Sequence, residues 1–263
     1  MRFAIFCIAA FAPLTAFAVD GVVLINQANA LAGNVTPGDT PGFPVTISQS
    51  GSYKLSSNLV MSDPNTTVIS IGADDVTIDL NGFSIIGPNV CNGAGNTPTT
   101  SCSLSSLGNG IDGFTHSRIT VLNGAVRGIP FEGIVLGSDA RVEGVHVYSW
   151  SLGIQANGVF VNNFAGYNMV GFEITGVARG NQAIGNGIGI LGGSGVVTNN
   201  NLSFNGQYGF FGQGGAAALS GNFAEGNGTG GFLVVCPSSV VGNTGTITFN
   251  GSGSGCVLAN NSN

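Results

Sequence analysis

Charge is the most evident shortage in this chain of 263 residues, of which only 7% are Asp, Glu, Lys or Arg, where about 25% is usual in globular domains. Lys54 is the single lysine, no basic run occurs, and the formal net charge is −6 at pH 7. Because phosphate-rich surfaces attract basic proteins, nucleic acid and anionic membrane surfaces are poor candidates for partners.

Metal and catalytic motifs are also missing. The chain has no CxxC, and His116 and His146, the only histidines, have no metal-motif spacing. No GxSxG nucleophile motif accompanies them. No apolar run beyond the N-terminus approaches the ~20 residues of a membrane span. We therefore expect no metal, no cofactor and no membrane span in the mature chain.

The N-terminus is the one long apolar stretch. Arg2 precedes an apolar run from Phe3 to Ala12, and Ala16-Phe17-Ala18 is a small-x-small cleavage pattern. These features predict a secretory signal peptide over residues 1–18. The protein is then exported to the medium, the periplasm or the cell surface.

The cysteines agree with export. Cys7 lies in the predicted signal peptide, and Cys91, Cys102, Cys236 and Cys256 remain. An even number in an oxidising compartment favours disulfides over a zinc site. Of the three pairings, we predict Cys91–Cys102 and Cys236–Cys256, since each closes a local loop.

Glycine, with 45 residues, is abundant and recurs in a pattern. A glycine followed by a large residue returns every 16 to 24 residues, at Gly110, Gly133, Gly153, Gly171, Gly187, Gly209, Gly231 and Gly255. The units are too short for βαβ crossovers, which need ~30 residues, and their apolar residues alternate as in strands. A β-sandwich also has short strands, but it does not need the same dyad eight times. The pattern predicts an all-β parallel solenoid of about nine or ten coils over residues 44–263.

The dyads predict which side chains stack inside. Like residues should lie above one another along the axis, in the order Ile111, Ile134, Ile154, Phe172, Ile188, Phe210 and Phe232. Asparagines at the corners are expected to adopt left-handed φ and to bond the next coil.

Two segments interrupt the repeat. Residues 19–43 contain a short helical pattern near Leu24–Ala32 and then a Pro/Gly linker, and are interpreted as an N-terminal cap on the apolar end of the solenoid. Residues 88–108 are interpreted as a polar insertion stapled by Cys91 and Cys102.

Several stretches carry a resemblance: GSYKLSSNLVM at 51–61, DDVTIDLNGFSIIGP at 74–88, the cysteine-bearing insertion, RITVLNGAVRG and ARVEGV. The chain resembles secreted bacterial right-handed parallel β-helix repeat proteins of the pectin-lyase-like superfamily. The resemblance implies a right-handed coil and contact with polysaccharide. It does not imply one activity, because the superfamily spans lyases, hydrolases, epimerases and binding proteins.

Two polar groupings are candidates for catalysis. Asp112 and Glu132 form a weak acid pair that approaches across a corner, while Glu173 lies three coils from Asp112, about 14 Å away. Arg118 and Arg141 share one offset in adjacent coils and are expected to stack, as a site for sugar carboxylates. For both groupings, a solvated and locally balanced surface is the favoured interpretation. Asp74 and Asp75 are interpreted as corner residues.

Aromatic residues divide in the same way. Phe172, Phe210 and Phe232 are assigned to the core, whereas Trp150, Tyr148, Tyr167 and Tyr208 are candidates for an exposed sugar platform. The favoured hypothesis is a secreted, non-catalytic scaffold that binds a glycan or another surface partner. The alternative is a polysaccharide lyase or glycoside hydrolase acting along the lateral groove, with Ca²⁺ required only if it is a lyase.

Overall fold

The computed structural model describes residues 21–89 and 106–263, together with the backbone of 91–92 and 101–102. The predicted signal peptide therefore lies outside the described residues, and so do the side chains of the proposed Cys91–Cys102 disulfide. The backbone strands Cys91–Asn92 and Ser101–Cys102 pair antiparallel, with Cys91 opposite Cys102.

All other strands join one parallel sheet that winds into a solenoid of about nine turns. One helix, α1, covers Gln27–Ala32. The strands of the solenoid are Val23–Ile25, Val45–Ile47, Gly51–Leu55, Leu59–Val60, Ile69–Ile71, Val76–Asp79, Ser84–Ile86, Ile111–Gly113, Thr120–Ile129, Glu132–Leu136, Ala140–Ser149, Leu152–Val161, Phe164–Gly166, Val170–Arg179, Gln182–Ile184, Ile188–Thr198, Tyr208–Gly212, Ala217–Ser220, Gly230–Val234, Ser239–Val241, Ile247–Phe249 and Val257–Ala259. The prediction of a parallel β-solenoid is confirmed.

Each coil crosses three faces. Face A is the stack of strands that starts with Val45–Ile47, face B the stack that starts with Val23–Ile25, and face C the stack that starts with Leu59–Val60. The longest strands turn the corner between faces B and C, or between faces A and B, without a break. Side chains alternate between the core and the outer surface along each face.

The interior of face A is a continuous apolar stack. Its register runs Val45, Ile69, Ile111, Ile134, Ile154, Phe172, Ile190, Phe210, Phe232 and Ile247. The predicted stack was wrong in one coil, because Ile190 and not Ile188 lies beside Phe172. Two Gly-Ile dyads follow each other there, and Ile188 instead lies opposite Val170.

Asparagine ladders close two of the corners. Asn181 is typical: its backbone N–H and its Nδ2 both donate to Asn200 Oδ1, at 2.8 and 3.0 Å, and Nδ2 also donates to the Phe160 carbonyl. The ladder at the corner between faces B and C is Asn163, Asn181, Asn200, Asn222, Asn243 and Asn261. The ladder between faces C and A is Asn168, Asn186, Asn205 and Asn227. Because all of these asparagines except the terminal Asn227 and Asn261 are buried, the ladders satisfy backbone groups that water does not reach.

The N-terminal segment covers the first coil. Val23–Ile25 pairs with Gly51–Leu55 instead of extending the helix, and α1 begins after Asn26, whose side chain accepts from Asn29 N at 2.9 Å. An asparagine cap of this kind starts a helix by satisfying a free backbone donor. The helix thus starts later than the pattern near Leu24–Ala32 predicts. The Gln27 amide then bonds both the N–H and the carbonyl of Val60.

Candidate functional site

Arg118 lies at an exposed corner between faces A and B and is held by two aspartates. Its Nε is 2.7 Å from Asp75 Oδ1, and its Nη2 is 2.9 Å from Asp75 Oδ2 and 3.3 Å from Asp74 Oδ2. This forked contact lowers the pKa of Asp75, and a hydrogen bond from the backbone of Ser117 lowers the pKa of Asp74. The guanidinium is therefore already occupied by carboxylates of its own chain.

Arg141 lies within Ala140–Ser149 and not beside Arg118. Its register partner in the preceding coil is Thr120, two residues past Arg118, so the predicted stacking of the two arginines is wrong. The prediction failed because Arg118 belongs to the left-handed corner, with φ of 56°, whereas Arg141 is already in the strand. Arg141 forms an ion pair with Glu143 through Nη2 and Nε.

Asp112 and Glu132 do lie close together, on the outer side of face A. Asn109 joins them: its Nδ2 donates to Asp112 Oδ2 at 3.2 Å, and its Oδ1 accepts from Glu132 N at 3.3 Å. Partial burial, and then the neighbouring charges of Asp112 and Glu173, raise the pKa of Glu132. A carboxyl in this setting retains its proton to higher pH than an exposed one.

The strand register also determines the position of Glu173 along face A. It follows Asp112 through Val135 and Gln155, three steps along face A, as predicted. Within the described residues no three carboxylate, histidine or cysteine side chains are grouped as metal ligands. The arrangement offers one carboxyl group suited to donating a proton and a second carboxylate nearby.

A cluster of aromatic rings occupies the outer side of face C. Tyr148 and Tyr167 stack with their ring centroids 6.5 Å apart and their planes at 19°, and Phe164 lies 5.4 Å from Tyr148. His146 lies 5.7 Å from Phe164 in the same cluster. Tyr167 is 39% exposed, and Tyr148 and Phe164 are half-buried. We call these four residues the aromatic cluster.

The other two predicted platform residues lie elsewhere. Trp150 lines a cleft of about 380 Å³ together with Leu107 and Phe131. Tyr208 lies on face A, where its ring meets Phe211 edge to face at 5.5 Å. The four residues that the sequence grouped are therefore distributed over three places.

Phe164 and Arg127 belong to this surface but were not identified from the sequence. No sequence feature distinguishes Phe164, which follows Asn163, from any other strand residue. Its register with His146 places it on the outer side. Arg127 is exposed and lies opposite Tyr148 in the preceding coil. Because side chains alternate along a strand, the buried Val126 implies that its neighbour Arg127 points outward, and this pattern could have identified Arg127 from the sequence.

Comparisons with known proteins returned no match: no family model matches the chain, and neither does a curated protein nor a solved structure. Across the described residues no helix has the length and apolar character needed to cross a membrane.

Proposed function

We propose that this protein is a secreted, non-catalytic β-helix scaffold that binds a glycan along its lateral surface. The aromatic cluster carries the proposal. Rings of Tyr148, Phe164 and Tyr167 meet on one exposed side of a rigid sheet, where they contribute nothing to the core. The negative face of an aromatic ring attracts the partly positive C–H groups of a pyranose, and a tyrosine hydroxyl offers hydrogen bonds at the same place.

The setting of the cluster supports binding over chemistry. Tyrosine is a neutral hydroxyl at physiological pH, and burial raises the pKa of Tyr148 further above that range. Rings fixed on a β-sheet lose little conformational freedom when a ligand stacks on them. The proposal includes export directed by the predicted signal peptide of residues 1–18. Export would bring the scaffold to extracellular or envelope glycans.

Binding to immobilised and soluble polysaccharides tests the proposal. Mature protein should bind at least one neutral glycan, and a Tyr148→Ala/Phe164→Ala variant should bind it about tenfold more weakly or worse. Phe114→Ala is the matched control, because Phe114 is 58% exposed at a different corner. Equal loss in the control, or no binding to any glycan by the wild type, would sink the proposal.

A glycoside hydrolase is the second candidate, and the raised pKa of Glu132 beside Asp112 favours it. Glu132 would protonate the leaving oxygen, and Asp112 would act as the second carboxylate. Turnover of a polysaccharide that Glu132→Gln abolishes would establish this candidate. A lyase using Arg118 or Arg141 as base, with Ca²⁺, is less favoured because both guanidinium groups are engaged by carboxylates.

A further inference from the structure

The residue just before each asparagine of the ladder between faces C and A has a left-handed backbone. These residues are Tyr167, Gly185, Phe204 and Gly226, with φ of 61°, 73°, 57° and 67°. Aromatic residue and glycine therefore alternate from coil to coil. We call this set the corner column.

The matching corner between faces B and C shows what such a position ordinarily holds. There the left-handed residues before the ladder are Asn162, Gly180, Asn199, Gly221, Gly242 and Asn260. Asparagine and glycine tolerate positive φ at little cost, whereas a bulky side chain is strained there by about 1–2 kcal/mol. Among the eleven described non-glycine residues with positive φ, only Arg118, Tyr167 and Phe204 are neither Asn nor Asp.

Both rings lie along the outside of the solenoid and lean on the next coil. A Cβ placed on Gly185 would be 3.3 Å from Tyr167 Cε1, and one on Gly226 would be 2.7 Å from Phe204 Cδ1. The intervening glycines thus leave the room that the rings occupy. Tyr167 and Phe204 remain 39% and 44% exposed, so the strain is not offset by burial in the core.

The two rings have a defined separation. They lie two coils apart, which corresponds to about 10 Å along the axis at the usual strand spacing. That distance is comparable to the disaccharide unit of an extended pyranose chain. Gly185, the corner residue between them, adds no side chain of its own, and the ring of Tyr167 lies over it.

The charge of this edge selects the kind of glycan. No residue of the corner column is charged. The exposed Glu225, whose backbone carbonyl accepts from Phe204 N, adjoins the Phe204 end, and the exposed Arg127, which lies opposite Tyr148, adjoins the Tyr167 end. With one negative and one positive group near its two ends, the edge has no excess of positive charge that would attract a polyuronate, and it suits a neutral chain.

We propose that Tyr167 and Phe204 are two stacking sites that align a neutral, extended β-linked glycan parallel to the solenoid axis. The inference rests on the proposed function, because it names the ligand class and the register of the same lateral surface. Tyr167 joins the two features, since it belongs both to the aromatic cluster and to the corner column.

Chain-length dependence of binding tests the inference. We would titrate wild type, Phe204→Gly and Phe114→Ala with neutral β-linked gluco-oligosaccharides from the disaccharide to the hexasaccharide, and with uronate oligomers. Wild type and Phe114→Ala should gain about tenfold or more in affinity once the oligomer reaches both rings. Phe204→Gly should keep the affinity for the disaccharide and lose that gain.

Folding is controlled within the same experiment. Glycine in place of Phe204 would adopt the φ of 57° without strain, so Phe204→Gly should melt near the wild-type temperature. Phe204→Asn, which copies the corner between faces B and C, provides a second folded variant. Full retention of the length-dependent gain in both variants, or tighter binding of uronates than of neutral oligomers, overturns the inference but leaves glycan binding intact. Absence of binding by wild type removes the proposed function itself.

Discussion

Replacing Asn200 by alanine should be among the most destabilising single changes in this protein. Asn200 Oδ1 accepts from the backbone N–H of Asn181 at 2.8 Å and from its Nδ2 at 3.0 Å. Asn200 Nδ2 donates to the Ala178 carbonyl at 3.0 Å and to Asn222 Oδ1 at 2.9 Å. Alanine removes all four contacts from a site that is 2% exposed.

The size of the stability loss in Asn200→Ala depends on which buried groups lose a hydrogen-bond partner. Asn181 Nδ2 keeps the Phe160 carbonyl, and Asn222 Oδ1 keeps the backbone N–H of Asn200. The buried N–H of Asn181 is left without this partner, at about 1–3 kcal/mol, and the side-chain hydrogen bonds to the Ala178 carbonyl, to Asn181 Nδ2 and to Asn222 Oδ1 are lost, at about 0.5–1.5 kcal/mol each. We therefore expect Asn200→Ala to lower the free energy of unfolding by about 4 kcal/mol.

Urea unfolding followed by circular dichroism measures this loss, and amide hydrogen exchange shows whether it is confined to neighbouring coils, as a stacked repeat allows. The control is the adjacent Asn199→Gly. Asn199 is exposed with φ of 54°, so glycine should change stability by about 1 kcal/mol or less. If Asn200→Ala unfolds within about 1 kcal/mol of wild type, the ladder does not stabilise the corner as argued.

Two further predictions concern face A and the last coils. The pKa of Glu132 is raised in the folded protein, so its contribution to folding stability is present in full below the ordinary glutamate pKa of 4.5 and is lost as pH rises. Glu132→Gln should therefore become more stable than wild type as the melting temperature is followed from about pH 4 to about pH 8. A gain in stability that does not depend on pH would contradict this. Cys236 and Cys256, 20 residues apart, form the one disulfide seen among the described residues. Replacing both by serine should lower the free energy of unfolding by about 3 kcal/mol, and reduction of the wild type should have the same effect. Unchanged midpoints of urea unfolding would refute this prediction.

The candidate site was less predictable than the fold. Offset counting placed Asp112, Gln155 and Glu173 on one outward line because strand alternation is regular between corners. It failed for Arg118 and Arg141 because the left-handed corner residue follows the face A position by seven residues in one coil (Ile111 to Arg118) and by five in the next (Ile134 to Asp139). The aromatic cluster depends on the same detail, since Phe164 reaches Tyr148 only through the register of neighbouring coils.

Local and periodic information was enough for the architecture. Glycine dyads, alternation and corner asparagines predict the parallel solenoid, and the loop spacing of Cys236 and Cys256 predicts their disulfide, because each depends on residues near in sequence or on a recurring period. Partners across the stack were decided only in three dimensions. The separation of Tyr208 from Tyr167, the capture of Arg118 by Asp75 and the ring of Phe204 lying over Gly226 all depend on coils of unequal length. An added or missing residue is absorbed within its own coil, as at the irregularity between Ile174 and Gly176, but it changes the sequence offset between residues that become neighbours.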